Sequence, residues 1–151
     1  MYTIGQVAEM FGLPISTLRY YDKQGLFPQL IRKSGIRKFS KNEIEALRVI
    51  ECLKKSGLGI KDIKLFMAWC AEGPATYSDR FQLFRKQKEC VEAEIKQLHK
   101  TLDMLKFKCW YYSKIMEDGN EATAKASIPD DLPEDIRVAY DNSHTQFSDN
   151  K

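Results

Sequence analysis

The side chains best suited to chemistry lie close together near the start of the sequence. Arg19, Tyr20 and Tyr21 follow one another, with Ser16 and Thr17 just before them. A guanidinium makes paired hydrogen bonds to guanine O6 and N7 or to a phosphate, and no neutral side chain replaces that fork. Tyrosine joins an apolar ring to a hydroxyl donor, a combination that packs on a sugar while bonding a phosphate. Of two adjacent tyrosines on a helix one is expected to face inward, so a single ring is left for such a contact. The hydroxyls of Ser16 and Thr17, with the N–H groups of a helix start, suit phosphate as well. A little further on, Arg32, Lys33, Arg37 and Lys38 place four cations and no acid around a glycine. The common target of these groups is a polyanion.

Charge along the 151 residues agrees with that target. Residues 1–66 hold 12 Lys+Arg against 6 Asp+Glu, residues 67–115 hold 9 against 6, and residues 116–151 hold 3 against 9, so the net +3 conceals a basic front and an acidic end. Hydrophobic content of 43% with 30% charged residues fits a globular protein rather than a disordered one, and no apolar run is long enough to cross a membrane. The beginning, MYTIGQVAEMFG, does not read as a secretion signal, and the expected compartment is the cytoplasm, with no membrane partner. Cys52, Cys70, Cys90 and Cys109 are too evenly and widely spaced for a disulfide scaffold or a CxxC knuckle, and are expected to be mostly thiols.

The elements that must position these groups follow from periodicity. Ile4, Val7, Ala8 and Phe11 recur at helical spacing after Thr3, which with Gln6 forms a capping box, so a first helix is expected over about 3–11. Gly12-Leu13-Pro14 breaks it, and a second helix runs from about Ile15 to Lys23, ending at Gln24-Gly25. Two short helices joined by a three-residue turn form a helix-turn-helix. Leu30-Ile31-Arg32 and Ile36-Arg37-Lys38-Phe39 then read as two strands around Lys33-Ser34-Gly35. A basic hairpin directly after a helix-turn-helix is a wing, able to follow the DNA backbone while the second helix enters the groove.

Ser40 and Glu43 form a second capping box, before Ile44, Leu47, Ile50 and Leu53 at helical spacing; a fourth helix from Ile60 shows Ile63, Phe66 and Met67 on one face and stops before Glu72-Gly73-Pro74. From Ser78 to Met116 there is no Pro or Gly. Phe81, Lys88, Ile95, Leu102, Cys109 and Met116 fall at heptad position a, with Phe84, Val91, Leu98, Leu105 and Tyr112 at d, a seam that only Lys88 interrupts. Such a helix requires a partner helix, and a homodimer coiled coil is expected. The predicted organisation is a DNA-binding domain over 1–72, a linker over 73–77, a dimerisation helix over 78–116 and an acidic, loosely ordered C-terminal tail over 117–151.

The stretches TIGQVAEMFGLPISTLRYYDKQGLFP, SGIRKFS and EIEALRVIECLKKSGLGIKDIK resemble the amino-terminal domain of the MerR family of bacterial transcription regulators, over about residues 2–66. Ile36 departs from the pattern, since the family often has an aromatic residue before the wing arginine. The resemblance implies a mainly α fold, a winged helix-turn-helix followed by an antiparallel dimer coil. It also implies a homodimer on an inverted repeat in double-stranded promoter DNA, which activates RNA polymerase there by untwisting and bending the DNA on receipt of a signal. Ser16, Thr17, Arg19, Tyr20, Tyr21, Arg37 and Lys38 are the expected DNA contacts.

The size of the chain and the cysteine in VIECLKKSG resemble the subgroup that responds to aldehydes and other electrophilic stress. Cys52 is accordingly the candidate sensor; Arg48, Lys54 and Lys55 nearby would favour its thiolate, and a group added to a thiol between the third and fourth helices would overpack them. The 35 residues after Met116 are too few for a multidrug sensor's cavity. The family's metal sensors use two thiolates at the end of the coil, whereas Cys109 has no second cysteine after it and only His144 as a later histidine. No metal site and no cofactor are expected, although a soft-metal-responsive regulator stays as the alternative. An enzyme is not expected, because there is no phosphate loop and no acid–base or nucleophile constellation. A coiled-coil scaffold without DNA binding is the remaining competitor, and the basic wing argues against it.

Overall fold

The computed structural model describes residues 1–144, and the last seven positions of the acidic tail lie outside the described residues. The first of two compact units spans Met1–Lys88. It opens with β1 (Tyr2–Thr3), α1 (Ile4–Phe11) and α2 (Ile15–Lys23). The first capping box forms as its sequence requires: Thr3 N–H donates to the Gln6 side chain at 2.8 Å, and Gln6 N–H to the Thr3 hydroxyl at 3.3 Å. Gly12 ends α1 in the left-handed region at φ 62°, where a side chain would be strained. Val7 and Ala8 of α1 and Leu18 and Tyr21 of α2 are buried against each other's element and the core beyond.

The hairpin consists of β2 (Ile31–Lys33) and β3 (Ile36–Phe39), joined by a two-residue turn in which Ser34 and Gly35 both have positive φ. Lys33 is therefore the last paired residue of β2, opposite Ile36, and not part of the turn. β1 adds to the far side of β3, giving the antiparallel order β1-β3-β2 with Tyr2 opposite Phe39. Two residues are too few to show a period, so this strand left no sequence signal.

Ser40 and Glu43 close the second capping box at the start of α3 (Lys41–Lys55), and Ile44, Leu47, Ile50 and Leu53 are buried as their spacing requires. With Ile63 of α4 (Ile60–Glu72), Leu26, Phe27 and Phe39 they complete one core, in which the Phe27 and Phe39 rings meet edge to face at 5.5 Å.

Residues 73–77 are not a free linker. Gly73 turns at φ 95°, Pro74–Thr76 form a single 3-10 turn, and α5 (Tyr77–Asp118) follows without a gap. The buried Thr76 hydroxyl donates to the carbonyls of Trp69 and Gly73 and accepts from Arg80 Nε at 3.0 Å, while Arg80 Nη2 donates to the Gly73 carbonyl at 2.7 Å. The Trp69 and Gly73 carbonyls at the end of α4 thus accept from Thr76 of the 3-10 turn and Arg80 in the first turn of α5. Phe84 meets Phe66 at 5.2 Å and Gln87 donates to the Ser56 carbonyl at 2.8 Å, so the first unit runs past residue 72.

The second unit starts at Glu89 and holds the remainder of α5, α6 (Ala122–Ala126) and α7 (Glu134–His144). This corrects the expectation of a loosely ordered tail. Leu132 and Ile136 are buried against Phe107, whose ring lies 5.0 Å from that of Tyr140, and Ala124 and Ala139 are buried too. The described acidic residues from Glu121 onward are exposed, and the helical period places Ile136 inward but leaves Val138 exposed. Phe107, Trp110 and Tyr111 occupy heptad positions f, b and c, away from the a/d seam. Covering them leaves the seam open: Leu98 and Leu102 are 67% and 60% exposed, with Ile95 and Leu105 about half exposed beside them. No described helix is long and apolar enough to cross a membrane.

Candidate nucleic-acid interface

The helix-turn-helix sets α2 on the core through Leu18 and Tyr21 and turns its opposite face outward. Ser16, Arg19 and Tyr20 are exposed on that face, and Thr17 is half-buried. The N-cap of α2 is Pro14, which makes no side-chain cap; the Thr17 N–H donates to the Pro14 carbonyl at 3.0 Å, and the N–H groups before it have no side-chain cap. A cationic fork, a phenol ring and an uncapped helix start therefore share one surface.

Tyr21 does not belong to that surface, which corrects its expected role as a DNA contact. It is 1% exposed, and its hydroxyl donates to Glu51 Oε1 of α3 at 2.7 Å. The Lys54 ammonium sits 5.3 Å from the centre of its ring. Burial pushes the phenol above its ordinary range; the hydrogen bond with Lys54 opposes this, and Glu51 reinforces it. The ring is core and the hydroxyl is a tie between α2 and α3. Tyr20, 47% exposed, is the tyrosine left for a ligand.

Sequence reasoning missed Asp22. Its Oδ2 accepts from Arg32 Nη2 at 2.6 Å and from Arg37 Nε at 2.7 Å, and its side chain is only 7% exposed. Burial alone would raise this carboxyl; the hydrogen bonds from Arg37 and then Arg32 outweigh it and hold the group below the ordinary aspartate value. Arg32 and Arg37 are direct cross-strand partners in the wing, so one carboxylate on α2 fastens both strands to the recognition helix. A signal was present, since Asp22 is the only acid between Glu9 and Glu43.

Alternation along β3 separates two residues that the sequence grouped together. Arg37 shares a face with buried Phe39 and turns toward Asp22, whereas Lys38 lies on the other face with its neighbours Thr3 and Ile31. They cannot address one phosphate as a pair.

Cys52 is exposed on α3 and does not lie between packed helices, so the expected strain mechanism has no basis. Its basic setting is thinner than the sequence suggested, because Arg48 faces Glu45 at 3.6 Å and Lys54 is held at Tyr21. Cys70, Cys90 and Cys109 are exposed free thiols as well. Among the described residues no group of three or more His, Cys, Asp or Glu side chains could hold a metal ion.

Comparison with known proteins agrees with this geometry. Residues 2–68 match the family model described as MerR HTH family regulatory protein. Over 131 residues the chain is 36% identical to an uncharacterized HTH-type transcriptional regulator of Haemophilus influenzae, covering 85% of this chain and 97% of that one. It is also 36% identical over 87 residues to the HTH-type transcriptional regulator AdhR of Bacillus subtilis, covering 57% of this chain and 62% of that protein. Among solved structures it is similar to HiNmlR, described as a MerR family regulator lacking the sensor domain, bound to promoter DNA: TM-score 0.61, 36% identity, 83% of this chain and 98% of that one. A MerR family regulator from Bacillus thuringiensis matches with TM-score 0.57 and 44% identity, over 72% of this chain and 96% of that one. With an exposed Arg19–Tyr20 face on a winged helix-turn-helix, and with relatives of this kind over nearly its whole length, the chain belongs to the MerR family and is a DNA-binding transcriptional regulator, not an enzyme.

Proposed function

We propose that the chain binds an inverted repeat in a promoter as a homodimer and activates transcription there by distorting the DNA in response to a stress signal. Arg19 reads base edges or a phosphate, Tyr20 packs on the backbone, and Ser16 and Thr17 receive phosphate at the start of α2. The wing adds Lys38 from one face and, from the other, Arg37, which reaches a phosphate only where the operator draws it from Asp22. The observation that carries the dimer is the exposed seam of α5, because a row of large apolar side chains is stable in water only when a second helix covers it. Two copies joined by such a seam present two recognition helices, and an inverted repeat is the DNA counterpart of that twofold symmetry. Bending and untwisting a site of that size cost several kcal/mol, which helix and wing contacts offset, so RNA polymerase would receive a promoter altered in shape.

The signal is assigned to thiol chemistry at Cys52. Its exposure supports access by an electrophile. Footprinting on the promoter upstream of the chain's own gene tests the DNA reading, with protection of two symmetric half-sites as the expected result. Cys52→Ser, in a transcription assay with an aldehyde, tests the signal: operator affinity should stay normal while induction is lost.

A further inference from the structure

Asp22 spends the carboxylate of a DNA-binding helix on the cations of the wing. One oxygen accepts from both guanidiniums, at 2.6 and 2.7 Å, in a setting where the acid is almost fully covered. The two arginines face each other directly across the hairpin, where like charges without a counter-ion repel. Asp22 thus makes their side-by-side placement possible and at the same time occupies them. A phosphate oxygen would compete for the same N–H groups, because the planar guanidinium fork donates to phosphate and carboxylate oxygens alike.

From this we infer that Asp22 is a specificity-determining residue: it withholds Arg32 and Arg37 from indiscriminate phosphate binding and keeps the wing in register with α2, so that tight binding depends on the sequence under the recognition helix. The inference rests on the proposed meeting of the wing with the DNA backbone. Without the carboxylate, both guanidiniums turn to whatever phosphate is near, and affinity rises more for unrelated duplexes than for the operator.

The test compares the full-length parent, Asp22→Asn and Asp22→Glu on an operator duplex and on a duplex of unrelated sequence, across a range of salt. Each released cation that reaches a phosphate steepens the log–log salt slope by about 0.9, so one or two of them make the affinity gained shrink about 3- to 12-fold between 50 and 200 mM salt. The expected result for Asp22→Asn is tighter binding to unrelated DNA, a steeper slope and a smaller ratio of operator to unrelated affinity. Asp22→Glu, which keeps the charge, restores the parent's ratio. A folded Asp22→Asn protein whose affinity for unrelated DNA and slope are unchanged or lower overturns the proposal, since loosening of the domain alone weakens binding to every duplex. Should Asp22→Asn fail to fold, Arg32→Gln and Lys33→Gln decide. The proposal expects Arg32→Gln to leave the slope for unrelated DNA nearly unchanged and Lys33→Gln to reduce it by about 0.9. Equal reductions overturn it, and no reduction from Lys33→Gln overturns both the proposal and the reading that the wing meets phosphate.

Discussion

The Tyr21 hydroxyl and Glu51 Oε1, 2.7 Å apart, tie the inner face of the recognition helix to α3, while Tyr20 on the outer face stays open. Of the adjacent tyrosines, one therefore holds position and the other is open to the proposed DNA contact. Tyr21→Phe should lower stability in urea by about 0.5 to 1.5 kcal/mol, the net worth of one hydrogen bond, and leave operator affinity within about twofold. Tyr20→Ala should do the reverse, weakening DNA binding with the urea midpoint unchanged.

Arg19→Ala should weaken operator binding by about 1 to 3 kcal/mol and relax discrimination at the base it reads. A gel-shift titration on matched and single-substituted operators measures both effects. Its exposure predicts no loss of fold.

Asp22 gives the wing an acid limit. Its carboxyl lies below the ordinary value in the folded state, so its contribution is fully present above the unfolded value of about 3.9 and is lost as pH falls through the lower folded value. The urea midpoints of the parent and Asp22→Asn should differ by a constant amount from pH 7 down to about 5, and the difference should close below about pH 4.

Phe107→Ala should remove the anchor of α7 at a cost of about 3 to 5 kcal/mol. Hydrogen exchange should then show loss of protection over 134–144 before any loss in the first unit.

Much of this molecule was legible in its sequence because the informative signals are local. Capping boxes at Thr3 and Ser40, breaks at Gly12-Pro14 and Gly73-Pro74, and the heptads of α5 each report the conformation of a few neighbours, and the elements found there follow. What stayed hidden depends on contacts distant in sequence. The inward turn of Tyr21 is fixed by Glu51, thirty positions away. Asp22 acquires its role only when the hairpin folds onto α2. α7 reads as acidic tail until Phe107 offers it an apolar surface. Cys52 fell on the exposed face because the buried face of α3 was already taken by Ile50 and Leu53, a point its own helical spacing could have settled.

The central claim, two recognition surfaces joined by the α5 seam on one inverted repeat, is tested most directly by pairing sedimentation with footprinting for Leu98→Asp combined with Leu102→Asp. Buried charges without partners cost several kcal/mol each, so this variant should sediment as a monomer. On the promoter upstream of its gene the parent should protect two symmetric half-sites, and the variant should lose that protection at the same concentration while keeping its fold. A variant that remains dimeric, or a monomer that protects both half-sites as well as the parent, would contradict the account.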